Sequence, residues 1–94
     1  MNLEKSKKRI AKKAKMGFQG YPEISITYSG CSSDRAEEVV LTFIADEGIQ
    51  AMEERFKCEL DAREDEAIQS AIVKMIERSE AKTVVLIDGV QLIS

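Results

Sequence analysis

DAREDEAIQSAIVKMIERS at residues 61–79, followed by TVVLI at residues 83–87, is the stretch on which the fold class turns. In the first segment Ile68, Ala71, Ile72, Met75 and Ile76 recur at steps of three and four. At about 100° per residue this spacing puts them on one face of a helix. Asp61 with Glu64 has the pattern of a capping box, in which the acid accepts from backbone N–H groups left free at the helix start. Asp65 and Glu66 add negative charge near the positive end of the helix dipole, and Arg78 places a cation in the last turn. Val73 falls about 140° from Ile68 on the wheel and is expected off the core face, a singly exposed valine. The second segment is almost wholly apolar and predicts a buried strand. Asp88-Gly89 then reads as a turn or bulge, after which Val90, Leu92 and Ile93 continue the pairing.

Upstream the period changes to two. In Glu23–Ser29, Ile24, Ile26 and Tyr28 alternate with Ser25, Thr27 and Ser29, the pattern of a half-buried strand. Gly30-Cys31-Ser32-Ser33-Asp34 reads as a polar loop. Glu38–Ala45 carries two mostly apolar sets, Val39, Leu41, Phe43 and Val40, Thr42, Ile44, and predicts a central strand covered in part on both sides. Asp46-Glu47-Gly48 is a hairpin signal. Met52, Phe56, Cys58 and Leu60 then oppose Glu53, Arg55, Lys57 and Glu59 in a one-faced strand, where Glu54 interrupts the inward set and suggests a bulge or a late start. Gly17-Phe18-Gln19-Gly20-Tyr21-Pro22 marks a turn into the first strand, with Phe18 and Tyr21 expected at one end of the core. The implied fold class is α+β: a two-layer sandwich in which an antiparallel sheet of about four strands carries one long amphipathic helix, in the order (α)-β-β-β-α-β.

Composition agrees with one folded unit. The chain has 94 residues, of which 44% are hydrophobic and 33% charged, so it is long enough for a single modest core. With three Phe, two Tyr and no Trp, that core must be aliphatic. Two cysteines, Cys31 and Cys58, are too few for a disulfide scaffold, and no apolar stretch at the start resembles a secretory signal. A cytoplasmic setting with free thiols is expected. A mitochondrial transit peptide would favour Arg and Ser over the lysines found here. The longest unbroken apolar run, Val84 to Ile87, is too short to cross a bilayer, and no membrane partner is expected.

Charge is unevenly placed. The net charge of −3 divides into a leading segment, residues 1–15, with seven cations against Glu4 alone, and a remainder with seven basic and sixteen acidic residues: +6 beside −9. The expected organisation is residues 1–16 as a basic arm or frayed helix and residues 17–94 as a single α+β domain. Leu3, Ile10, Ala11 and Ala14 make only a thin apolar stripe in this arm, and short isolated helices are marginal in water. Lys5, Lys7, Lys8, Arg9, Lys12, Lys13 and Lys15 are the candidate polyanion-binding residues. Seven cations can contact phosphates through counterion release. The alternative is a solvated tail, or one folded back on the acidic body.

The absence of histidine removes His-based triads and metal sites. Cys31 in a polar loop would need a neighbouring base or helix N-terminus to become a nucleophile. Asp61 and Asp65 share a helical face, but their spacing is not that of an EF-hand loop, and capping accounts for both. No cofactor is implied: Gly17 and Gly20 lack the Lys-Ser/Thr ending of a phosphate loop.

The order α-β-β-β-α over residues 3 to 79 resembles that of the double-stranded-RNA-binding domain. That family opens its second helix on phosphate-gripping lysines in a KKxAK-type motif. This chain has Ala62-Arg63-Glu64-Asp65-Glu66-Ala67 there, acid in place of base, so the RNA contact does not carry over. The strand at Thr83 to Ile87 also departs from the family.

Three readings follow, in order. The first is a non-enzymatic interaction or adaptor module engaging an unidentified protein partner, or itself through an edge strand as a homodimer. The second is a weak, non-specific nucleic-acid-binding accessory protein acting through the lysine-rich arm. The third is a small enzyme using carboxylates or Cys31.

Overall fold

A computed structural model describes residues 2–32, 35–58 and 61–92. Its elements are α1 (Leu3–Lys15), β1 (Glu23–Gly30), β2 (Glu38–Ile44), β3 (Met52–Lys57), a 3-10 turn at Ala62–Glu64, α2 (Glu66–Ser79) and β4 (Thr83–Leu92). Leu60, Glu59 and Ile93, assigned above to strands, and Ser33 and Asp34 of the polar loop lie outside the described residues.

The four strands form one sheet in the order β3-β2-β1-β4. β1 and β3 both run antiparallel to β2, whereas β4 runs parallel to β1. The sheet is therefore mixed, which corrects the antiparallel expectation. The reason is mechanical. β1 and β3 point the same way, and the 14-residue α2 carries the chain back along the sheet, so the next strand must run in their direction. α2 also carries the chain from one edge of the sheet to the other, and β4 lands beside β1.

Alternation puts Ile24, Ile26 and Tyr28 of β1 in register with Phe43, Leu41 and Val39 of β2, and Val84 and Leu86 of β4 beside Ile24 and Ile26. These side chains share one face. Ile10 of α1 and Ile72, Val73 and Ile76 of α2 join them in the core. Burying each such aliphatic side chain stabilises the fold by roughly 1.5–3 kcal/mol. Two helices, rather than one, lie on the sheet. β2 is covered by helix on that face alone, and Val40, Thr42 and Ile44 of its other face are half-buried.

Two local expectations change with this packing. Val73 is 3% exposed, because α1 lies against the flank of α2 that the wheel left to solvent. Glu54 causes no bulge: it pairs in register with Leu41, and the outer position of β3 leaves its carboxylate exposed. The irregularity expected at Asp88-Gly89 of β4 is present: the register with β1 shifts between Ile26 and Tyr28, and pairing resumes at Val90. Gly89, within the displaced segment, has φ of 75°, a conformation that favours glycine. Gly30 is required by close approach: a Cβ there would lie 2.2 Å from the Arg35 carbonyl oxygen. Among the described residues no helix is long and apolar enough to cross a membrane.

Candidate polyanion-binding surface

α1 begins at Asn2, whose side-chain oxygen accepts from the Lys5 N–H at 2.9 Å. It ends on Lys12, Lys13 and Lys15, cations where the helix dipole favours them. Its inward stripe is short. Ser6 is fully buried with its hydroxyl 3.4 Å from that of Ser70, and Ile10 is 2% exposed. Two serines at this crossing let the helix backbones approach closely. Flanking ion pairs run from Lys7 to Glu64 at 2.7 Å and from Arg9 to Glu77 at 3.0 Å. The Glu64 carboxylate holds the Lys7 ammonium above its ordinary pKa, mainly through their hydrogen bond.

Docking sorts the seven candidate cations. Lys7 is half-buried and turned towards Glu64. Lys5, Lys8, Arg9, Lys12, Lys13 and Lys15 are exposed. On the helical wheel these six occupy an arc of about 160° opposite Ile10 and Ala14. Among the described residues Lys5, Lys8, Lys12, Lys13 and Lys15 have no salt-bridge partner. α1 thus presents five unpaired ammonium groups on the outer face of a helix about 20 Å long. The acidic remainder of the chain disfavours a polyanion elsewhere on the surface.

Two exposed apolar side chains follow the C-terminal end of this helix. Met16, the C-cap residue, is 56% exposed and Phe18 is 62% exposed. Phe18 is therefore not part of the core end expected from its neighbourhood. Gly17 takes φ of 72° and turns the chain out of the helix. The Gln19 N–H then donates to the Thr83 hydroxyl at 2.8 Å, and that hydroxyl donates to the Gly20 carbonyl at 2.6 Å. The loop is tied to β4 on the far side of Phe18, whose ring meets Tyr21 edge-on at 5.4 Å. The signal that marks Phe18, an aromatic three residues beyond the last lysine of a basic run, is visible in the sequence but identical to that of a core aromatic.

No family model, curated protein or solved structure matches this chain.

The remaining candidates make structural contacts. The Cys31 N–H donates to a Glu37 carboxylate oxygen at 3.0 Å, and that carboxylate raises the pKa of the Cys31 thiol, opposite to the direction nucleophilic activation requires. The Cys58 thiol donates to Asp65 at 3.3 Å. Asp61 and Asp65 are both caps: Asp61 accepts from the Arg63 N–H ahead of the 3-10 turn, and Asp65 from the Ile68 N–H ahead of α2. No three of His, Cys, Asp and Glu converge among the described residues. Gln69, 2% exposed, donates to the Tyr28 hydroxyl at 2.8 Å and to the Ala62 carbonyl at 2.9 Å, and burial pushes the Tyr28 phenol up. This buried pair, which the sequence does not reveal, joins β1, the 3-10 turn and α2 beneath a cleft of about 470 Å³ beside α1. A second cleft, about 460 Å³, lies between α2 and β3 and is lined by Leu41, Phe43, Met52 and Met75. No cysteine lines either cleft.

Proposed function

We propose that this protein is a non-enzymatic binding module that engages a polyanion through the outer face of α1. The observation that carries this reading is the exposure of five lysines without salt-bridge partners among the described residues, on a helix whose apolar stripe is docked on the body. An ordered row of cations meets a phosphate chain with less loss of conformational freedom than a loose tail would. The test is titration of the full chain with inorganic polyphosphate at several salt concentrations. Affinity falls steeply with salt, by a log–log slope of roughly −0.7 to −0.9 for each phosphate engaged. Lys8→Glu/Lys12→Glu/Lys15→Glu abolishes binding, while Lys74→Glu/Lys82→Glu on the body leaves it within about twofold of the starting chain. Binding that ignores salt, or that survives the triple reversal, overturns the reading.

A second reading, pairing with another copy of the chain, is supported by the position of β4 at a sheet edge with Leu92 exposed. Sedimentation of the full chain over a hundredfold concentration range separates the two. A monomer throughout removes this reading.

A further inference from the structure

We infer that the polyanion held by α1 is a single-stranded nucleic acid, with one base stacked on Phe18. This deepens the function proposed above and rests on it. The cations follow a line: Lys5, Lys8, Lys12 or Lys13, then Lys15 supply about one positive charge per 5.4 Å turn. Such a track suits a linear phosphate backbone. At its C-terminal end stands Phe18, 62% exposed and at most about 11 Å of chain from Lys15. Its ring meets Tyr21 edge-on at 5.4 Å, and the next residue is fixed by the Gln19–Thr83 hydrogen bond. A cationic track ending in a supported, solvent-facing aromatic ring combines the two parts from which sequence-tolerant single-strand binding is built.

Other phosphate-bearing surfaces fit less well. A duplex keeps its bases stacked internally and offers Phe18 no open base face. A helix lying in an anionic lipid surface turns its apolar stripe to the acyl chains. In α1 that stripe, centred on Ile10, is taken up by α2 and the sheet. The acids around α1 restrict the strand to its outer face: Glu64 and Glu77 border the helix on its α2 side through their pairs with Lys7 and Arg9.

The test is fluorescence anisotropy of the full chain with a labelled 20-nucleotide single strand, a duplex of the same length, and phosphatidylserine vesicles in a sedimentation assay. The single strand binds at least about tenfold tighter than the duplex. Phe18→Ala, a surface change that leaves the circular dichroism spectrum intact, weakens the single strand about 5- to 100-fold and the duplex by less than twofold, whereas Phe18→Trp keeps single-strand affinity. Equal affinity for strand and duplex, indifference of the single strand to Phe18→Ala, or a preference for vesicles overturns this inference. Lys8→Glu/Lys12→Glu/Lys15→Glu distinguishes the two levels. If it weakens strand and duplex alike while Phe18→Ala does nothing, the cation face stands and only the base-stacking inference falls. If it weakens neither, the polyanion reading falls as well.

Discussion

α1 and α2 are close in length, lie side by side over the same sheet face and are both amphipathic, yet different forces hold them. α2 is buried on two flanks: Ile72 and Ile76 join the apolar layer over the sheet, while Val73 and Ser70 meet α1. α1 is buried along one stripe, with Ser6 and Ile10 as its fully covered positions, and its like charges repel one another along the outer face. A 13-residue helix of this kind is marginal in isolation, so its order comes from docking. The contrast separates two tasks on one layer: α2 completes the core, and α1 borrows that core to hold a charged face in place.

Truncating the two central isoleucines breaks the comparison most strongly. Ile72→Ala is expected to cost about 3 kcal/mol, because Ile72 is fully buried between sheet and helix, and urea denaturation will show it as a lower midpoint for the whole fold. Ile10→Ala is expected to cost about 2 kcal/mol, with amide hydrogen exchange accelerating over residues 3–15 while β1 and β2 stay protected. Uniform loss of protection across all elements would mean that α1 and α2 form one cooperative unit, and the division of labour would not hold.

The helix caps sharpen the same contrast at smaller scale. Asp65→Ala removes the acceptor for the Ile68 N–H and is expected to cost about 1 kcal/mol. Asn2→Ala at the exposed end of α1 is expected to cost about 0.5 kcal/mol. Thermal melts of the two variants give the order, and a costlier Asn2 would contradict it.

The smallest effect concerns pH. The Asp65 carboxylate is held below its ordinary value first by the Ile68 N–H and then by the Cys58 thiol; the Arg63 guanidinium does the same for Asp61. Because both pKa values are lowered on folding, the stabilisation is complete above the unfolded carboxyl value of about 3.9 and is lost as pH falls through the folded values. The Asn2 cap does not titrate. Acid therefore weakens the α2 terminus below about pH 4 and spares the α1 cap. Helicity at 222 nm followed from pH 6 to 2 in the parent and in Asp65→Asn checks this; identical profiles would remove the Asp65 contribution.

Much of the layered body was legible because its signals are local. Alternation along Glu23–Ser29, the hairpin turn at Asp46–Gly48 and the apolar stripe of α2 each follow from side chains a few residues apart. The features that escaped depend on partners far along the chain. Val73 looks exposed until α1 covers it, Glu54 looks like an interruption until β3 is known to be an edge, and the buried bond from Gln69 to Tyr28 joins residues 41 positions apart. The cation-rich face was legible as composition, since its seven residues are visible in the first fifteen. Which of them are paired was not, because Lys7 and Arg9 find Glu64 and Glu77 only after the helices meet.

By itself the amino-acid sequence determined an aliphatic sheet-and-helix body and a charge distribution split between a basic start and an acidic remainder, because periodicity and charge are properties of neighbouring residues. Tertiary structure alone decided that β4 runs parallel to β1, that the basic segment is a docked helix with an ordered outer face, and that Phe18 stands in solvent at its end. Strand direction, helix docking and the exposure of one aromatic ring are set by where distant segments meet, and no local pattern encodes that meeting.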